Sequence, residues 1–368
     1  SPISINFGLG EIYSQIKFLD SGNYLLNLRA SQIDLIELKK IFRFQDRING
    51  EMNGEIYLSY ENFQPTILTN LNFRSGNFDD IIFESLDIQA SFRNNRLTFS
   101  EVDIDTDIGL LKFSGWLTNL SNDFSFTNED RLSIEGEFDQ FEISYLMRYF
   151  PWEEKTSGLL SGKISISGEA SSPRIELQSR IKNPSFDRII GESISGDLIY
   201  KNKRLYLKGM NLKTSSGQYT GTGSIPADLS IVKIVDMNIL EQPLDFIITG
   251  KSNSFEFLTP YIDEIESING EFTMQLGLSG TLQNPIRGGQ LSIQNTKLEL
   301  LQLDNSIESL SGIATIANNK LIIKKLSGQL VKSDSNNDMV SNMINVAKNL
   351  FNTTVSNKEH DNIAVNVT

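Results

Sequence analysis

Through most of the chain, apolar residues recur at every second position. Ile164 and Ile166, Ile175 and Leu177, Leu198 and Tyr200, and Leu205 and Leu207 fall on one side of this alternation. Lys163, Ser165, Arg174, Glu176, Asp197, Ile199, Tyr206 and Lys208 fall on the other. Ile56, Leu58, Leu97 and Phe99 show the same pattern earlier, and Phe272, Met274, Leu276 and Leu278 show it later. A period of two predicts strands with one apolar and one wet face. Arg93-Asn-Asn-Arg96, Lys201-Asn-Lys-Arg204 and Ala317-Asn-Asn-Lys320 supply asparagine, which tolerates positive φ and suits tight hairpins. Ser21-Gly-Asn23 is a further turn, between Ile16-Lys-Phe18 and Tyr24–Leu28. Residues 33–44, 141–152 and 255–265 instead space their apolar positions as a helix does, which predicts short helices resting on the end or mouth of the adjoining sheet.

The pattern is an internal repeat. Gly50, Gly54, Ile56, Leu58 and Pro65 stand 108 positions before Gly158, Gly162, Ile164, Ile166 and Pro173. The same offset carries Arg96, Leu97, Phe99, Gly109 and Gly115 onto Arg204, Leu205, Leu207, Gly217 and Gly223. An offset of 112 matches Gly270, Gly280 and Pro285 to Gly158, Gly168 and Pro173, and an offset of 116 matches Gly312, Lys320 and Leu321 to Gly196, Arg204 and Leu205. The third copy thus gains four residues midway, as a loop tolerates. The copies run over about 33–117, 141–226 and 255–330, each opening with its helix, and residues 1–32 read as the end of a preceding copy. Phe124-Ser-Phe126, Leu132-Ser-Ile134, Ile231-Val-Lys-Ile234 and Phe246-Ile-Ile248 are strand-like. The sheet is therefore expected to run unbroken through residues 1–330. At one strand and turn per 8 to 12 residues and about 4.8 Å per strand, this predicts roughly 25 to 35 strands and a length well above about 100 Å.

Beyond residue 330 the alternation stops. Ser333–Asn337 read as a linker, and Asp338 can cap a helix through about Phe351. Its stripe of Met339, Met343, Val346 and Leu350 beside Val340, Ile344, Ala347 and Phe351 either closes the end of the sheet or lies on a membrane surface. Ile363–Val367 read as the opening strand of a further β segment.

The chemistry-bearing residues narrow the field. A net charge of -13 over 368 residues argues against nucleic acid as a partner. Without cysteine there is neither a disulfide nor a thiolate site, and a single histidine, His360 in a polar tail, allows no His-pair metal centre. Glu153-Glu154 and Asp79-Asp80 are adjacent, so on a strand they point to opposite faces. Asp103, Asp105 and Asp107 share a face, but their counterparts Asn211, Lys213 and Ser215 lack the charge, which favours a solvated face over a calcium ladder. No phosphate loop or nucleophile elbow is present. We therefore expect no enzyme, catalytic residue, metal or cofactor. No run of about 18 apolar residues could span a bilayer. The start at Ser1, within a strand, reads as an excised piece whose membrane contacts lie elsewhere.

An apolar sheet face must be covered, curled upon or occupied. Closure into one barrel fits poorly with three tandem units, and separate small sandwiches are the alternative to a continuous trough. The series Phe141–Trp152, Gly158-Leu-Leu-Ser-Gly162-Lys-Ile-Ser-Ile-Ser-Gly168 with Pro173, Ile194-Ser-Gly-Asp-Leu198 and the strand from Gly217 to Gly223 resembles the repeat of the TamB and AsmA-like family of translocation and assembly modules. Ile268–Gly280 with Pro285 fits equally, whereas Tyr60 departs where Gly168 and Gly280 stand. The resemblance covers roughly residues 30 to 330. It implies an all-β fold, an elongated antiparallel sheet curled into an open groove with short helices at the repeat starts. It also implies a periplasmic protein anchored at the inner membrane, moving phospholipid or another acyl-chain lipid toward the outer membrane, or assisting assembly of outer-membrane barrel proteins with a barrel partner. The groove lining would then comprise Ile56, Leu58, Leu97, Phe99, Ile164, Ile166, Ile175, Leu177, Leu198, Tyr200, Leu205, Leu207, Phe272, Met274, Leu276 and Leu278.

Overall fold

The computed structural model describes residues 2–19, 22–37, 48–78, 81–118, 127–147, 156–186, 189–233, 238–239, 242–254, 265–281, 283–300, 306–317 and 320–331. Expectations for the remaining parts of the three helices, for 124–126, for Asn318 and Asn319, for Asp79-Asp80 and Glu153-Glu154, for His360 and for everything after Val331 lie outside them.

Three strands come first: β1 (Pro2–Phe7), β2 (Gly10–Phe18) and β3 (Tyr24–Asp34). The first full unit comprises β4 (Ile48–Glu61), β5 (Gln64–Phe78), β6 (Ile81–Arg93), β7 (Arg96–Thr106), β8 (Gly109–Thr118) and β9 (Arg131–Glu142). Helix α1 (Ile143–Met147) opens the second, which continues through β10 (Thr156–Glu169), β11 (Ser172–Phe186), the short β12 (Ile189–Ile190), β13 (Ser193–Lys201), β14 (Arg204–Lys213), β15 (Gly217–Asp228), the short β16 (Asn238–Ile239) and β17 (Asp245–Ser254). The third holds β18 (Ile265–Gly280), β19 (Pro285–Leu300), β20 (Ser306–Ala317) and β21 (Lys320–Val331). Nineteen strands pair antiparallel in chain order as one sheet that does not close into a barrel, with β12 and β16 as two-residue additions. The fold is thus the open, all-β sheet expected from the alternation. Because β9 pairs with β10 and β17 with β18, no boundary separates the units, which excludes separate sandwiches.

Three expectations change. Strands run to 16 residues, and six of them fill the 108 residues of the first unit, so the spacing there is 18 residues rather than 8 to 12. The sheet accordingly has fewer strands, and eighteen spacings of about 4.8 Å give roughly 86 Å instead of more than 100 Å. Ile231–Lys233 form a 3-10 turn rather than a strand, because the Asp228 carboxylate accepts a bond from the Ser230 N–H (3.2 Å) and turns the chain off the ladder. The helices also begin later than the periodicity suggests. Ile33 and Asp34 still belong to β3 and Phe141 and Glu142 to β9, with helical backbone starting at 35 and 143.

The repeat is written into the backbone as well. Asn94 and Asn95, and 108 residues later Asn202 and Lys203, all hold positive φ between 51° and 56°, as a two-residue hairpin matching the sheet twist requires. At the opposite ends of the strands, Ser75, Asn183 and Asn295 occupy left-handed backbone at one repeat position, and Gln32 and Gln140 at another. Register shifts at Asn49/Glu51, Ser157/Leu159 and Asn269/Glu271 accompany them. Further shifts recur within the strands, at Phe99/Val102 and Leu207/Met210. Bulges add bend and twist locally, so a recurring set curls the sheet by the same amount in each unit. The four extra residues of the third copy fall between Pro285 and Gly312, within the span of β19 and β20.

Candidate apolar groove

Registers across the strands join the alternating residues into rows. One runs Leu28, Ile56, Thr69, Ala90, Phe99, Gly115, Ile134, Ile166, Ile175, Tyr200, Leu205, Ile225. Beside it run Val102, Phe113, Gly136, Ile164, Leu177, Leu198, Leu207, Gly223, Phe246 and Leu278. Nearer the bulged rim, Leu212, Tyr219, Gly250, Met274, Leu291, Ala314 and Ile323 form another. All sixteen residues singled out in the sequence lie on this one face. Tyr200 and Phe272 are buried and the rest half-buried. Along these rows the only charged side chain among the described residues is Arg287, opposite Leu278 at the turn end.

Several glycines on this face lie beneath a large neighbour from the next strand. A Cβ at Gly250 would stand 2.2 Å from the Tyr219 ring, and one at Gly223 would stand 2.6 Å from the Phe246 ring. Large residues therefore lie flat on the sheet and keep the lining thin, a use of strand glycine that repeats along the face.

The opposite face is polar and paired across strands. Arg29 meets Glu55 at 2.7 Å, Arg74 meets Asp87 at 2.8 Å, and Lys163 meets Glu137 at 2.5 Å. Burial opposes ionisation of Asp87, but hydrogen bonds from Arg74 and Asn72 outweigh it and hold the carboxyl below its ordinary value. Asp103 pairs with Lys112 at 2.5 Å, and Asp107 accepts from the Ile82 N–H at 3.1 Å, so these acids have structural partners. Ser165, Glu176 and Asp197 stand on this face too, as the alternation requires.

No family model, no curated protein and no solved structure matches the chain. Its site is therefore read from geometry alone.

The apolar face is concave, and a segment missed in the sequence shows why. After β15 the chain turns back as a strap, Leu229 to Val232. The Ile231 N–H donates to the Ala170 carbonyl at 2.9 Å, and the Leu229 N–H to the Tyr200 hydroxyl at 3.0 Å. Asp228 is held by Lys203 at 3.0 Å. Ala170 lies in the turn between β10 and β11, between three and four strand spacings from β15, or about 17 Å along the sheet. Three residues from Asp228 to Ile231 span at most about 10 Å. The rim must bend for the chord to reach. Ile231 and Val232 pack on Leu117, Leu132 and Ala170, flanked by Leu97, Phe99, Ile134 and Ile166, so the bend is toward the apolar side. At the bulged rim, Leu35 similarly packs with Ile33, Phe73 and Phe83, as expected of a helix resting on the mouth. The strap's signal in the sequence was the break in alternation at Pro226-Ala-Asp228-Leu-Ser230, which the apparent strand after it masked.

Proposed function

We propose that the chain is a lipid conduit, in which acyl chains lie along the concave apolar face. The observation that carries this reading is the apolar face running across nineteen strands, with Arg287 as its one charged side chain and no second sheet behind it among the described residues. Water on such a face is unfavourable by about 25 cal/mol for each Å² of apolar area, which an acyl chain of no fixed shape relieves anywhere along the rows. In this reading the chain does no bond chemistry; it supplies an apolar path between two membranes. The resemblance to TamB and AsmA-like proteins favours phospholipid as cargo and the periplasm as the place, with anchoring at the inner membrane through other parts of the protein.

One feature favours a second reading. The outermost strand, β21, pairs only with β20 among the described residues, and its Ile322 and Leu326 are exposed. An unpaired edge can template a strand of another protein, which suits a scaffold for outer-membrane barrel assembly. Lipid extraction from protein purified without detergent, followed by mass spectrometry, separates the two. Near-stoichiometric phospholipid supports the conduit. Absence of lipid, together with binding of unfolded barrel strands, rejects it in favour of the scaffold.

A further inference from the structure

Of the seven largest fully enclosed side chains among the described residues, five (Leu132, Asp130, Pro173, Tyr200 and Pro226) cluster at the strap and the turns it touches. Ala170 is 0% and Ser230 5% exposed. The Asp130 carbonyl accepts from the Ala170 N–H at 2.7 Å, so the strap is tied through Ala170 to the start of β9 as well. Packing this dense has no room to slide, and it marks a fixed staple rather than a lid. Ile231 and Val232 touch the lining directly, leaving no space for an acyl chain between them and Leu117 or Leu132.

The other ends of these strands differ. From β11 to β15, the described residues at the bulged rim are short connections, 191–192 and 214–216, with Ser215 exposed. We infer that the strap makes the groove one-sided over β11 to β15: a bound amphiphile directs its acyl chains toward the strap and its polar end out over the bulged rim. This rests on the lipid reading and adds the orientation of the ligand.

The chain has no cysteine, so single labels are clean. Ser172→Cys marks the strapped rim, Ser215→Cys the bulged rim and Leu198→Cys the lining between them, each carrying a fluorophore. The protein is incubated with vesicles of phosphatidylcholine bearing a nitroxide either on the headgroup or on the acyl chain. Acyl nitroxide should quench at 198. Headgroup nitroxide should quench at 215 several-fold more than at 172. In Ile231→Ser/Val232→Ser protein, which releases the strap, quenching at 172 should rise toward that at 215. Quenching at 198 with equal headgroup quenching at both rims, or more at 172, overturns the orientation and leaves the conduit standing. No quenching at 198 by acyl nitroxide overturns both.

Discussion

Leu132 and Leu198 face the same side of the sheet, yet truncating them should have different costs. Leu132 is 1% exposed, enclosed by Leu117, Ala170, Ile231 and Val232. Leu132→Ala leaves a cavity that the strap cannot fill, at about 2 to 5 kcal/mol. Leu198 is flanked in register by Leu177 and Leu207 but is only half-buried. Water or lipid can take the removed volume, so the cavity penalty is absent and only part of the transfer free energy, about 1 kcal/mol, is lost. The gap is then about 2 kcal/mol, roughly thirtyfold in an equilibrium constant. A repeat sheet need not unfold in one step, so the readout is hydrogen exchange in lipid-free protein, comparing amides of β9 in Leu132→Ala with those of β13 in Leu198→Ala. Equal acceleration in both would mean that the face is covered along its length like a sandwich core, and the open-groove argument would be refuted.

Three further outcomes are expected. Leu276→Arg should leave a folded protein that carries less lipid, while Gln275→Arg, exposed on the paired outer face, should carry as much as the wild type; equal lipid loss in both would contradict the face assignment. Ile166 suits this test less well, since it packs beside the strap. Asn202 holds φ at 51°, so Asn202→Val should cost about 1 to 2 kcal/mol in thermal or denaturant stability, and Asn202→Gly should cost less; a neutral valine would show that the hairpin relaxes. Burial raises the Tyr200 phenol above its usual value, with Asp228 adding to the effect and the Leu229 N–H opposing it. The unfolded chain therefore ionises first, and this contribution is complete below about pH 10 and lost as pH rises through the folded value. Tyr200→Phe should lessen the alkaline loss of stability in that range, and an unchanged alkaline profile would count against it.

That the sixteen residues share one face was legible because a period of two is a direct statement about faces, and each strand keeps it between bulges. The hairpins were legible because Asn94 and Asn202 are among the few side chains that accept positive φ. Strand length was not, since Ser157 to Ser167 contains glycines and serines that read as turn material, although Gly158 and Gly162 lie inside β10. Gly158 instead sits at a bulge with φ at 141°, and Gly162 beneath the Phe138 ring. Helix starts were missed because Ile33 and Phe141 satisfy both periods at once, and the strand ladder resumes through each after the bulge that precedes it. The departure at Tyr60 has a packing reason: it stacks on Tyr24 with centroids 5.4 Å apart, whereas Gly168 faces Leu132 beneath the strap. The strap was hidden because its contacts join residues sixty positions apart, which no local pattern encodes.

Six strands per unit is an even number, and so are the offsets of 108, 112 and 116 residues. An even strand count returns the chain to the rim from which it set out, so β4, β10 and β18 all begin at the bulged side. An even residue count preserves which side of the sheet each position occupies. Duplicating one unit in the gene would therefore lengthen the sheet by about 29 Å without reversing its rims or its faces. An odd insertion of a single strand would swap both ends of everything downstream. Length in this architecture is inherited in whole units, as a ruler is extended by whole divisions.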